Sequence, residues 1–83
     1  MSRKRFTAAN VQPVLDVIAD YGFGRFDHLK ARLVEDYGMR FAFSSGTHTA
    51  RLMGVTGTGT AGERDALDSW ARAARRRLLR ESV

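Results

Sequence analysis

The chain has 83 residues, a net charge of +5 and no cysteine, which bounds it to one small domain with a core too small to enclose a large buried cofactor. Without cysteine there is no disulfide framework and no thiolate metal site, and an intracellular, cytoplasmic protein is the simplest fit. No apolar run approaches the ~18 residues of a membrane span, so no membrane partner is expected, and 43% apolar residues with a single proline is the composition of a folded chain.

Residues 1–7 read as a basic arm: Arg3, Lys4 and Arg5 carry its three positive charges, and it lacks the apolar stretch of a signal peptide. Residues 8–83 are expected to form the domain. Thr7 or Asn10 can cap a first helix, in which Pro13 is acceptable if it lies in the first turn. Val11, Val14, Leu15 and Ile18 follow helical spacing, and Gly22 is a good stop. Asp16 and Asp20 share the opposite face, where a pair of acids is solvated rather than catalytic. Phe23-Gly24 turns the chain into a second helix, about Arg25 to Tyr37, with Phe26, Leu29, Leu33 and Tyr37 as its buried stripe and Val34 beside them. The short connection favours an antiparallel helical hairpin. His28 has no cysteine or second histidine at ligand spacing, so no metal site is expected.

In Met39-Arg40-Phe41-Ala42-Phe43 the phenylalanines alternate as in a strand, and Ser44-Ser45-Gly46-Thr47 has turn composition. His48 to Val55 can return as the second strand of a hairpin, although its poor alternation leaves helix open as well. Ser44, Ser45, Thr47 and His48 bring hydroxyls near an imidazole, but no acid is fixed there to orient it, and all four are ordinary turn residues.

Gly57-Thr58-Gly59-Thr60-Ala61-Gly62 matches G-x-G-x-x-G between a candidate strand and a helix. A dinucleotide site also needs a second parallel strand ending in an acid, and the helix consumes nearly all the residues after Gly62. No cofactor is therefore expected. The stretch reads as a flexible turn that caps the next helix, with Thr56, Gly57, Thr58, Gly59 and Thr60 as a loop able to contact an anion such as a nucleic-acid backbone. A competing pattern in Ala50, Met53-Gly54-Val55 and Thr60 resembles a degenerate helix-turn-helix, with Thr56 to Glu63 opening the recognition helix. Its three glycines would each cost that helix ~1 kcal/mol relative to alanine.

Thr60 and Glu63 are spaced as a capping box, with Asp65 complementing the helix dipole. Leu67, Trp70, Ala71, Ala74 and Leu78 form one apolar stripe, and Arg72, Arg76 and Arg80 fall on the opposite face. Arg64–Asp68 and Asp68–Arg72 are i,i+4 pairs. Beyond Arg72 only Glu81 offsets Arg75, Arg76, Arg77 and Arg80. Cations suit a helix C-terminus, but four arginines in six residues exceed what capping requires and form an anion-binding end. Arginine outnumbers lysine twelve to two, which suits bidentate carboxylate or phosphate contacts and equally follows from GC-rich coding.

The expected fold is α+β in the order helix, helix, hairpin, helix (ααββα). The last helix would lay Leu67, Trp70, Ala74 and Leu78 on the helical hairpin, with Phe41 and Phe43 closing the core. The expected function is that of a small non-enzymatic interaction protein. It would dock through Arg72, Arg75, Arg76, Arg77 and Arg80, with Arg3, Lys4 and Arg5 beside them, on an acidic protein surface or a nucleic-acid-containing complex. The alternative is a module that sets the same residues on DNA or RNA phosphates; the basic helix has no Asn or Gln with which to read adenine. The segment from Arg51-Leu52-Met53-Gly54-Val55-Thr56 to the Ala71–Arg77 run resembles short open reading frames of GC-rich bacteria and their prophages. The resemblance covers under half of the chain and implies an accessory protein of mobile elements, a class that includes inhibitors of host defence.

Overall fold

The structure, a computed structural model, describes residues 5–22 and 24–81; the turn residue Phe23 and the arm residues Arg3 and Lys4 lie outside that set. Helix α1 spans Ala8–Tyr21 and α2 spans Phe26–Tyr37. Strands β1 (Arg40–Ser44), β2 (Thr47–Leu52) and β3 (Val55–Gly59) follow, and α3 (Glu63–Glu81) ends the described chain. The α+β class holds, and the sheet is one strand larger than the expected hairpin.

Of the two candidate caps, Thr7 serves α1: its hydroxyl oxygen accepts from the Asn10 N–H at 3.1 Å. Pro13 lies inside the helix rather than in its first turn, and the hydrogen bond it forfeits falls on the wet side, since Ala9 and Pro13 are both exposed. Val11, Val14, Leu15, Val17 and Ile18 face the core, as do Leu29 and Leu33 of α2.

The sheet is antiparallel in the order β1-β2-β3. Its connections are two-residue turns, Ser45–Gly46 and Met53–Gly54, with φ of 52° and 80° in the first and 53° and 76° in the second. Two consecutive left-handed residues make type I′ turns, whose twist matches that of the flanking strands. Residues 47–59 are therefore a second hairpin, and no helix-turn-helix forms there.

The largest departure from expectation is the glycine-rich stretch, which is strand rather than flexible turn. Val55, Gly57 and Gly59 face inward and Thr56 and Thr58 face outward. The inward glycines lie against α3. A Cβ on Gly57 would stand 2.2 Å from the Trp70 nitrogen and 2.4 Å from the Ala66 carbonyl oxygen. Helix and strand backbones touch here because no side chain separates them. Accordingly α3 packs mainly on β3 and β2 and only lightly on α1, which corrects the expected seat on the helical hairpin. Trp70 is fully buried, and its indole N–H donates to the Leu52 carbonyl at 3.3 Å.

Three further expectations are overturned. Phe43 does not close the core: it is 63% exposed near the first hairpin tip, tilted against His48 with 4.5 Å between ring centroids. Buried Met39 and Ala50 fill the core at this edge with half-buried Phe41. The Thr60–Glu63 capping box does not form, because tertiary partners take its acid. Glu63 pairs with Lys30 of α2, Asp65 accepts from the Ala61 N–H at 3.3 Å, and Gly62 offers the first helical carbonyl to Ala66. The expected Asp68–Arg72 ion pair is not formed, and neither residue has an ion-pair partner among the described residues. No helix among the described residues is long and apolar enough to cross a membrane.

Candidate docking site at the end of the third helix

The sheet fixes which way the arginines of α3 point. With Ala66, Trp70 and Ala74 turned onto β2 and β3, the helical period carries Arg72, Arg75, Arg76 and Arg80 to the exposed side. Arg77 is different. It is half-buried, its guanidinium lies 4.3 Å from the centre of the Phe6 ring, and its Nε pairs with Glu81 at 3.3 Å. Part of its charge is thus committed inside the molecule, while the other four are unpaired among the described residues.

Phe6 does more than hold Arg77. It is buried, and the Asn10 side-chain amide donates to the Arg5 carbonyl at 3.0 Å. The segment from Arg5 to Thr7 is thereby tied to α1 through Asn10 and to α3 through Phe6, and Arg5 is exposed. The positions of Arg3 and Lys4 lie outside the described residues.

Among these cations sits Leu79, which is 70% exposed. It belongs to two open grooves. One runs between α1 and α3, with Gln12, Leu15 and Asp16 on one wall and Arg75 and Leu78 on the other. The second is bounded by Ala73, Arg76 and Arg80. Leu79 falls off the stripe of Leu67, Trp70, Ala74 and Leu78, so helical spacing alone does not single it out. That same offset was the available signal: a leucine outside the stripe of an otherwise charged face is turned away from the core.

The Thr56–Thr60 stretch does not join this site. On the inner side the backbone of α3 occupies the space a phosphate would need at Gly57 and Gly59. The Thr56 and Thr58 hydroxyls point to the other face of the sheet.

The core of the described residues holds no polar or charged side chain, and no group of three acids or histidines could hold a metal ion. His28 is exposed, His48 leans on Phe43, and Asp16 accepts from the Gln12 amide at 3.0 Å. The arrangement can bind: an apolar centre ringed by guanidiniums. Compared with protein families, curated proteins and solved structures, the chain matches none.

Proposed function

We propose that the chain is a small, non-enzymatic interaction protein of the cytoplasm that docks the C-terminal half of α3 on an acidic protein surface. The observation that carries this reading is Leu79, exposed at the centre of Arg75, Arg76 and Arg80 and bordered by two grooves. Protein interfaces set apolar anchors in a rim where arginine is enriched. A phosphate backbone has no use for the leucine. Guanidiniums carrying no salt bridge among the described residues offer bidentate contacts to carboxylates across such a rim. The resemblance to prophage reading frames supports an accessory role in mobile elements, and a nucleic-acid-processing complex of the host, as an inhibitor's target, fits a basic docking face.

The test is affinity capture from nuclease-treated native lysate with three baits: the parent chain, Leu79→Ser, and Arg75→Ala/Arg76→Ala/Arg80→Ala. All four substituted positions are exposed, so each bait should keep its fold within about 0.5 kcal/mol. The expected result is one partner retained by the parent and lost by both variants. A complex that nuclease dissolves, or one that Leu79→Ser retains in full, refutes protein docking through this end.

A further inference from the structure

Among the described residues, no helix covers the face of the sheet away from α3. Its outward side chains are Arg40, Ala42 and Ser44 of β1, Thr47, Thr49 and Arg51 of β2, and Thr56 and Thr58 of β3. Arg40 stands directly opposite Arg51, and Thr56 stands opposite Arg51 on the other side. Both guanidiniums are exposed, and neither has an ion-pair partner among the described residues. There is no acid in the chain between Asp36 and Glu63 to supply one.

Like charges facing each other across neighbouring strands, roughly 5 Å apart at Cα, destabilise a sheet. An anion lying between them reverses the sign of that interaction. The rest of the face indicates which anion. It has no aromatic or large aliphatic side chain, because Phe41 and Phe43 alternate to the other side. It therefore offers neither an apolar anchor for a protein nor a stacking platform for unpaired bases. What it does offer is hydroxyls and guanidiniums, the donors that position phosphodiester backbones.

We propose that this open face binds the phosphate backbone of duplex nucleic acid, with Arg40 and Arg51 clamping a phosphate and Thr49, Thr56 and Thr58 donating hydroxyl hydrogen bonds beside them. Arg51 lies next to the Met53–Gly54 turn, and the Arg77 side chain passes 3.7 Å from where a Gly54 Cβ would sit. The clamp and the basic end of α3 thus share one end of the molecule on opposite sides of the sheet. Their fields add in drawing a polyanion to that end. A duplex on the sheet leaves Leu79 free, so the chain can hold a protein and a nucleic acid together.

The test is fluorescence anisotropy with a labelled duplex of ~20 base pairs and its separate strand, at about 50 and about 200 mM salt. The expected result is salt-sensitive binding that favours the duplex. Arg40→Ala/Arg51→Ala should weaken it at least ~10-fold and lower the log–log salt slope by about 2. A companion variant, Arg40→Glu, places opposite charges across the strands; it should abolish duplex binding while raising Tm. No binding at the lower salt, undiminished binding by the double variant, equal affinity for the single strand, or a lower Tm for Arg40→Glu each overturns the proposal. A loss of binding confined to Arg75→Ala/Arg76→Ala/Arg80→Ala would move the phosphate contact to α3 and overturn it too.

Discussion

Replacing Gly57 by alanine tests the central contact of the fold. The new methyl would meet the Trp70 nitrogen at 2.2 Å, the Ala66 oxygen at 2.4 Å and the Trp70 Cα at 2.6 Å. All three are backbone atoms, so no rotamer change relieves the clash. To move the closest of them from 2.2 Å to an ordinary 3.4 Å, α3 must retreat by about 1.2 Å. That opens the packing of Leu67, Trp70, Ala71 and Ala74 together. Overpacking costs ~1–3 kcal/mol, and an immovable obstacle places this case at the upper end. Removing glycine's freedom from the unfolded chain returns ~0.4–1 kcal/mol. The net loss should be about 2–3 kcal/mol, from a total of ~4–12 for a domain of this size, or roughly 10–20 °C in Tm. Urea melts followed by the emission of Trp70, the single tryptophan, and by far-UV circular dichroism would measure it. A loss under ~0.5 kcal/mol would mean that strand and helix are not in backbone contact, and the account of β3 would fail.

Gly59→Ala should cost less than Gly57→Ala in the same melts, because its nearest obstacle, the Asp65 carboxylate at 2.6 Å, can rotate away, although the Ala66 nitrogen at 2.7 Å cannot. Thr7→Ala removes the cap of α1 and should lower unfolding free energy by ~1 kcal/mol. Ser45→Asn, at a left-handed position of a type I′ turn, should raise Tm in a thermal scan, by up to ~1 kcal/mol of stability, since asparagine tolerates that conformation better. Leu79→Ser should leave Tm unchanged within ~0.5 kcal/mol, because the side chain is already 70% in water.

The helices were legible because each carries an apolar stripe at helical spacing, and the centre of each stripe is buried, Trp70 included, although the α3 stripe lies on the sheet instead of the helical hairpin and Val34 of α2 is exposed. The first strand was legible from alternating Phe41 and Phe43. The third was not, although Val55-Thr56-Gly57-Thr58-Gly59 alternates perfectly. Periodicity is read from side chains on the buried face, and here the buried face is defined by their absence. Local chemistry misled at Glu63 for a related reason: a lysine from α2, distant in sequence, outcompetes the nearby backbone for its carboxylate. At the candidate site, four arginines point outward as their spacing implies. The engagement of Arg77 with Phe6 was invisible, since nothing in the pattern places a residue before α1 against the end of α3.

The contact between β3 and α3 also governs the order in which the chain can become itself. Two glycines make Val55–Gly59 a poor strand on its own merits, with the greatest backbone entropy to lose and Val55 as its one inward side chain. The hairpin of β1 and β2 can close on local contacts through its short turn. The third strand has a reason to straighten only once the helix that follows it has arrived. Strand and helix are thus a single cooperative unit assembled across the Thr60–Gly62 connection. Their amides should exchange with solvent through one shared opening, at one free energy, while the tip of the first hairpin opens more readily.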